Sequence, residues 1–218
     1  LGFQIPLEIG GSLFHFSAYD SFISTGTAAG GTGVLGSMVG GAGTIAPNTA
    51  DMGHPGILLL DTGPTTTPER ISLTSLFPTD IVYLGGVIRV ERIVNSDVRL
   101  GLMLGNLAGT GEVRQGMYFS FLSGSSPNWR TVTRDAGGIT VNTSTVPVGL
   151  NEWVVLEMVL APTTIDFFIN RQRVFRHTTN ILASAAAPAF IVESTDAVAS
   201  SASIDTFLML GTVPNAQL

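Results

Sequence analysis

Between Asn151 and Phe175 the chain reads N-E-W-V-V-L-E-M-V-L-A-P-T-T-I-D-F-F-I-N-R-Q-R-V-F, and no other stretch limits its fold as closely. Two β-strands account for it, separated by a break at Ala161-Pro162-Thr163-Thr164 and followed by a second turn at Asn170-Arg171. In the second strand Ile165, Phe167 and Ile169 fall on one face while Asp166, Phe168 and Asn170 fall on the other, the period-two alternation of a strand against a core. β-Branched and aromatic side chains dominate, as suits a pleated, largely buried surface. A further strand, Ser203 to Leu210, follows after a polar gap. This order predicts an antiparallel sandwich.

Composition fits one all-β domain. The 218 residues match the roughly 200–250 residues at which large sandwiches fold as a unit, ample for a core without staples. Glycine is abundant at 26 residues, supplying many turns, and cysteine is absent, which removes disulfides and thiolate metal sites. Charged residues make up only 12%, and all ten basic residues are arginine. Low charge with arginine as sole cation suits a subunit whose surface meets neighbours. A net charge of −6 argues against nucleic-acid partners, which require a basic patch. No apolar run reaches the roughly 20 residues that span a bilayer and the opening residues lack a basic-plus-apolar signal pattern, so neither a membrane span nor a signal peptide is expected.

The chain divides into an apolar arm at 1–13, a sandwich domain at 14–212 and a tail at 213–218. Strand-like pieces at Phe14-His15-Phe16 and Gly56 to Leu60 bracket a Gly/Ala/Ser/Thr-rich stretch, Thr25 to Ala50, that reads as loop or weak strand. Candidate strands then run Ile71–Leu76, Val87–Val94, Arg99–Leu104, Met117–Leu122, Ile139–Asn142, Trp153–Leu160, Ile165–Asn170, Ala189–Glu193 and Ile204–Leu210, with turn formers between them. Short strands at this spacing point to a two-sheet sandwich or jelly roll.

His54-Pro55-Gly56-Ile57 with Asp61-Thr62-Gly63, Gly116-Met117-Tyr118-Phe119, Asn128-Trp129-Arg130 and the block from Trp153 to Asp205 together resemble concanavalin-like jelly rolls, the lectin/glucanase sandwich. More narrowly, their order is similar to that in bacteriophage virion proteins of this fold. The resemblance spans Phe14 to Leu210 and implies a virion location, with other virion proteins as partners. One departure stands at the turn after Ile169, where Arg171 replaces the family's usual glycine. A type I′ turn is strained there, so a longer turn through Gln172 is expected.

Glucanases of this fold set their carboxylates on one strand, as E-x-D-x-E or E-x-D-x-x-E, so that acid and nucleophile face one groove about 5–5.5 Å apart. Neither pattern occurs here; Glu91 and Asp97 lie too far apart for it, and Glu157 stands alone in an apolar strand. His15, His54 and His177 show no metal-ligand spacing, and no G-x-S-x-G elbow is found. These absences predict a protein that is not an enzyme. Gly31-Thr32-Gly33-Val34-Leu35-Gly36 matches G-x-G-x-x-G, yet lacks the helix a dinucleotide site needs. Asp51, Asp61, Asp80, Asp97 and Asp196 fall at loops or strand ends without a calcium-loop pattern, and read as turn caps. No cofactor or metal is expected.

Two functions follow as expectations. The first is a structural virion component, capsid-decorating or fibre-type, assembling as a homo-oligomer through protein contacts. The alternative is an adhesin that recognises host surface glycans. In either case the contact candidates are Asn128, Trp129, Arg130 and Arg134, because Trp and Arg concentrate binding energy. Trp129 also admits a purely structural role, folding back over the end of the core. Phe3, Ile5, Leu7 and Ile9 alternate with Gln4, Pro6 and Glu8, and Pro6 lacks an amide donor. An arm docking on a neighbouring chain is the expected use of that segment.

Overall fold

The computed structural model describes residues 14–20, 32–33, 36–39, 44–48, 57–66, 68–72, 81–104, 115–196 and 198–213. The arm residues Phe3, Ile5, Leu7 and Ile9, and also His54, Asp51 and Asp80, lie outside them. Sixteen strands are present among the described residues. In chain order they are β1 Phe14–Asp20, β2 Thr32–Gly33, β3 Gly36–Val39, β4 Thr44–Asn48, β5 Ile57–Asp61 and β6 Glu69–Ser72. The longer ones follow: β7 Ile81–Val90, β8 Ser96–Leu104, β9 Gln115–Leu122, β10 Asn128–Arg134 and β11 Ile139–Pro147. The chain then forms β12 Trp153–Ala161, β13 Thr164–Ile169, β14 Gln172–His177, β15 Ala187–Ser194 and β16 Ser201–Val213.

They form two eight-stranded antiparallel sheets, an all-β sandwich as the alternation predicts. One sheet runs β14-β13-β12-β7-β16-β5-β4, with β1 beside the C-terminal half of β16. The other runs β11-β10-β9-β8-β15-β6-β3-β2. Alternate residues of both sheets meet in one core. Leu84, Ile88, Leu156, Met158, Ile165 and Phe167 come from the first sheet and Val98, Leu100, Phe119, Phe121, Trp129 and Phe190 from the second. Phe119 and Phe167 meet edge to face across it at 5.2 Å, the arrangement that ring quadrupoles favour.

Several local expectations need correction. The strand placed at Val87–Val94 is instead β7, displaced toward the N-terminus. Gly85 and Gly86 disguise it in sequence, yet Gly85 has a use. A Cβ there would come within 2.7 Å of the Tyr83 hydroxyl, so only glycine lets Tyr83 reach Glu157 Oε1 at 2.9 Å. Burial first, then the adjacent Glu157 charge, push the Tyr83 hydroxyl pKa far above its ordinary value. The turn at Asn170-Arg171 is also tighter than expected. Ile169 pairs directly with Gln172, and both loop residues take positive φ, 50° and 67°, the backbone of a type I′ turn. Asn170 Oδ1 accepts a bond from Val155 N at 3.0 Å, which helps hold the turn despite the arginine. Within the glycine-rich stretch, read as loop or weak strand, Thr32 stands opposite Ser37 and Gly33 opposite Gly36 in a short strand pair.

Candidate functional site

The stretch expected to be a contact loop is partly strand. Asn128, Trp129 and Arg130 open β10, and Arg134 closes it. Alternation along β10 divides them between two faces. Trp129 points into the core, 1% exposed, with its ring 6.3 Å from Phe121. Arg130 and Arg134 take the other parity, in register with Ser120 and Gly116 on the outer face of the second sheet. Asn128 donates from Nδ2 to Ser144 O at 2.8 Å. The four candidates therefore do not form one patch.

Trp129 meets the chain's other tryptophan instead. Both line a pocket of about 220 Å³ at one end of the sandwich, walled by Val90, Val146, Val148 and Val154. Trp153 starts β12 and is half-buried rather than enclosed as its strand pattern suggests. Arg89, next to it across β7, places its guanidinium carbon 4.8 Å from the Trp153 ring centroid, a cation–π contact. Arg89 is also paired with Glu91 at 2.8 Å. Exposed Glu152 and Asn170 reach the pocket rim. Backbone hydrogen bonds tie its frame together: Val148 N donates to Pro127 O, Asn151 N to Val90 O, and Asn170 N to Val155 O, all at 2.8–2.9 Å. A second cavity of about 300 Å³, lined by Ile93, Phe121 and Pro127, shares Val148 with the first.

Around the same end, the loop 91–95 is fastened to Asp196, Val198 and Ala199. Arg92 donates to the carbonyls of Val198 and Ala199 at 2.6 Å each and pairs with Asp196 at 3.2 Å. Asn95 Nδ2 donates to Asp196 at 2.7 Å. The Asn95 bond first, with the Val198 amide, Ser194 and Arg92, holds the Asp196 pKa down at about 2. Asp196 is thus a loop clasp, and Asp61 caps its own turn by accepting from Gly63 N at 2.7 Å. Among the described residues no group of three or more His, Asp or Glu is placed to hold a metal ion. Nor is any described helix long and apolar enough to cross a membrane.

The outer face of the second sheet carries a buried charge cluster that linear motifs did not show. Asp97 on β8 stands directly opposite Glu193 on β15. Arg99 lies 3.5 Å from Asp97 and 3.1 Å from Glu193, with none of its side chain exposed. Burial raises the Glu193 pKa, while Arg99 pulls it back down. The next row across the sheet is Ile191, Arg99, Ser120, Arg130 and Thr143, in register over five strands. Ser120 Oγ and Glu193 Oε1 are buried without a hydrogen-bond partner among the described residues.

His177 fastens the two sheets together at their edge. Its Nε2 meets Thr131 Oγ1 at 2.9 Å and the Asn142 amide at 3.0 Å, and its Nδ1 meets Thr133 Oγ1 at 2.9 Å. Thr133 donates its own proton to Thr179 O, so the network assigns the His177 proton to Nδ1 and leaves Nε2 as acceptor. Burial lowers the His177 pKa to about 4.

No protein-family model matches the chain, and no curated protein sequence does. Solved structures match its fold throughout. A protein of unknown function from Shewanella oneidensis MR-1 aligns over 100% of this chain and 99% of its own, with a TM-score of 0.70 and 14% identity. A β-glucanase of Bacillus licheniformis aligns over 88% of this chain and 97% of its own, with a TM-score of 0.63 and 13% identity. The carbohydrate-binding module CBM66 of Bacillus subtilis aligns over 79% of this chain and 94% of its own, with a TM-score of 0.52 and 8% identity. At such identities the likeness is one of fold: a jelly roll used by carbohydrate-active and carbohydrate-binding proteins. None of these names points to a bacteriophage particle.

The expectation that the chain is not an enzyme must be corrected. Its fold is shared with a glycoside hydrolase, the β-glucanase. The absence of E-x-D-x-E also does not separate carboxylates in space, since Asp97 and Glu193 meet across two strands.

Proposed function

We propose that this protein binds glycans through the pocket between Trp129 and Trp153. One observation carries the proposal: the chain's two tryptophans, from strands of opposite sheets, line a single pocket with an exposed carboxylate and an exposed amide at its rim. Sugar rings present an apolar C–H face and an edge of hydroxyls. An indole suits the first, and a carboxylate–amide pair suits the second. The glucanase and the carbohydrate-binding module supply support at the level of fold. Glycan-array binding followed by calorimetry tests it. Trp153→Ala should abolish binding at concentrations where the parent saturates, and unchanged binding would refute the assignment.

A second reading, glycoside hydrolysis, is favoured by the Asp97–Glu193 pair. The two residues are directly opposed on antiparallel strands and both carboxylates reach Arg99, at 3.5 and 3.1 Å, so two acids share one site as glycosidase chemistry requires. The pair is buried, so turnover requires the outer face of that sheet to open. Polysaccharide cleavage that Glu193→Gln abolishes supports hydrolysis; cleavage unaffected by that change excludes this pair. Assembly into a bacteriophage virion, as a decorating or fibre-type homo-oligomer, rests on the motif resemblance alone, with low charge and arginine-only basicity suiting an assembled subunit. Mass spectrometry of particles from the source tests it.

A further inference from the structure

Resting on glycan binding at the tryptophan pocket, we infer that this pocket takes one uncharged sugar ring at the end of a chain, rather than an internal segment or an acidic sugar. Size is the first reason. At about 220 Å³ the pocket falls below the roughly 300–1,000 Å³ that drug-sized ligands occupy, so it holds one ring and not an oligosaccharide. Its frame does not widen readily, because backbone hydrogen bonds fix three of its borders.

Charge is the second reason. Among the described residues, Glu152 is the one ionisable side chain lining the pocket. The nearby guanidinium of Arg89 packs on Trp153 and is paired with Glu91, so its charge is largely offset. A uronate or sulfated ring would therefore set an anion beside the Glu152 carboxylate with no opposing cation in the lining. An uncharged ring instead donates a hydroxyl to that carboxylate. Asn170 supplies the complement. Its Oδ1 is engaged by Val155 N, which leaves the Nδ2 protons to donate to a neighbouring hydroxyl oxygen. Acceptor and donor at the rim thus suit adjacent hydroxyls, while the half-buried Trp153 indole meets the ring face and Trp129, 1% exposed, forms the floor behind it.

Saturation-transfer NMR on the full chain, with free glucose, galactose, mannose and N-acetylglucosamine set against glucuronate and galacturonate, tests the assignment. At least one neutral sugar should receive transfer and displace a bound glycan, with its uronate counterpart at least tenfold weaker. Glu152→Gln should weaken the neutral sugar about tenfold and narrow the gap to the uronate. Glu152 is exposed, so this variant folds like the parent. Gly149→Ala gives an independent check, because its new Cβ would strike the Glu152 carboxylate and push it from its position. A uronate that competes equally well, or competition by oligosaccharides alone with Trp153 still required, overturns the single neutral ring while leaving glycan binding in place. Loss of any Trp153-dependent glycan binding overturns both.

Discussion

Replacing Trp129 with alanine separates its structural contribution from its part in the pocket. The side chain is 1% exposed, belongs to the main core and packs edge-on against Phe121. A buried tryptophan removes about 150–250 Å² from water, which at about 25 cal/mol per Å² amounts to roughly 4–6 kcal/mol. Truncations of this kind cost about 3–5 kcal/mol. Here the space vacated adjoins the 220 Å³ pocket, so water fills part of it and no sealed cavity remains. That geometry places the loss near the lower bound, about 3 kcal/mol. For a chain of 218 residues, 1 kcal/mol moves Tm by roughly 2–4 °C, so the variant should melt about 6–12 °C lower. Calorimetry in parallel with urea unfolding measures this, and Trp129→Phe should recover more than half of the deficit. A Trp129→Ala protein with parental Tm and m-value would refute the core placement and restore Trp129 as a surface contact residue.

Three further outcomes follow from the same structure. Arg171 holds a φ of 67°, which costs a non-glycine residue about 1–2 kcal/mol; Arg171→Gly should gain about 0.5–1 kcal/mol after the added freedom of the unfolded chain, read as a higher urea midpoint. His177 has its pKa lowered from 6.5 to about 4, so below pH 6.5 the unfolded chain takes up a proton that the folded one refuses. Stability should be complete above pH 6.5 and fall by up to about 1.4 kcal/mol per unit as pH drops toward 4. Chemical denaturation of His177→Gln should lack that part of the slope. Arg99→Met leaves Asp97 and Glu193 buried without their shared cation and should cost about 3–5 kcal/mol. The deficit should shrink at acid pH, where Glu193 takes up a proton, and a deficit independent of pH would contradict the assigned coupling.

The strands that could be read from sequence are those with one face in the core and one outside. In β12 and β13, Val154, Leu156, Met158, Ile165 and Phe167 are buried at every second position, and that alternation is the signal itself. The sequence of β7 hides its strand because Gly85 and Gly86 stand where side chains would mark the period. That of β10 hides it because its inward positions include Thr131 and Thr133, polar residues whose partner, His177, comes from the other sheet. A buried threonine bonded across the core looks like a loop residue when read alone. The tight turn at Asn170-Arg171 went unread for a related reason. Sequence shows the missing glycine but not the Asn170 side chain bonded to Val155 N.

The same limit governs the sites. Trp129 sits in the largely polar strand β10 and Trp153 opens the apolar strand β12, and only the closure of two sheets brings them to one pocket. Asp97 and Glu193 become neighbours because β15 enters the sheet beside β8, far from it in the chain. A search for paired acids along one strand could not find them. Motif spacing within a strand tests only chemistry that one strand supplies, whereas a jelly roll brings separate strands to the same face. In this chain, therefore, the alternation of residues revealed the layers, and the strand pairing decided which side chains meet.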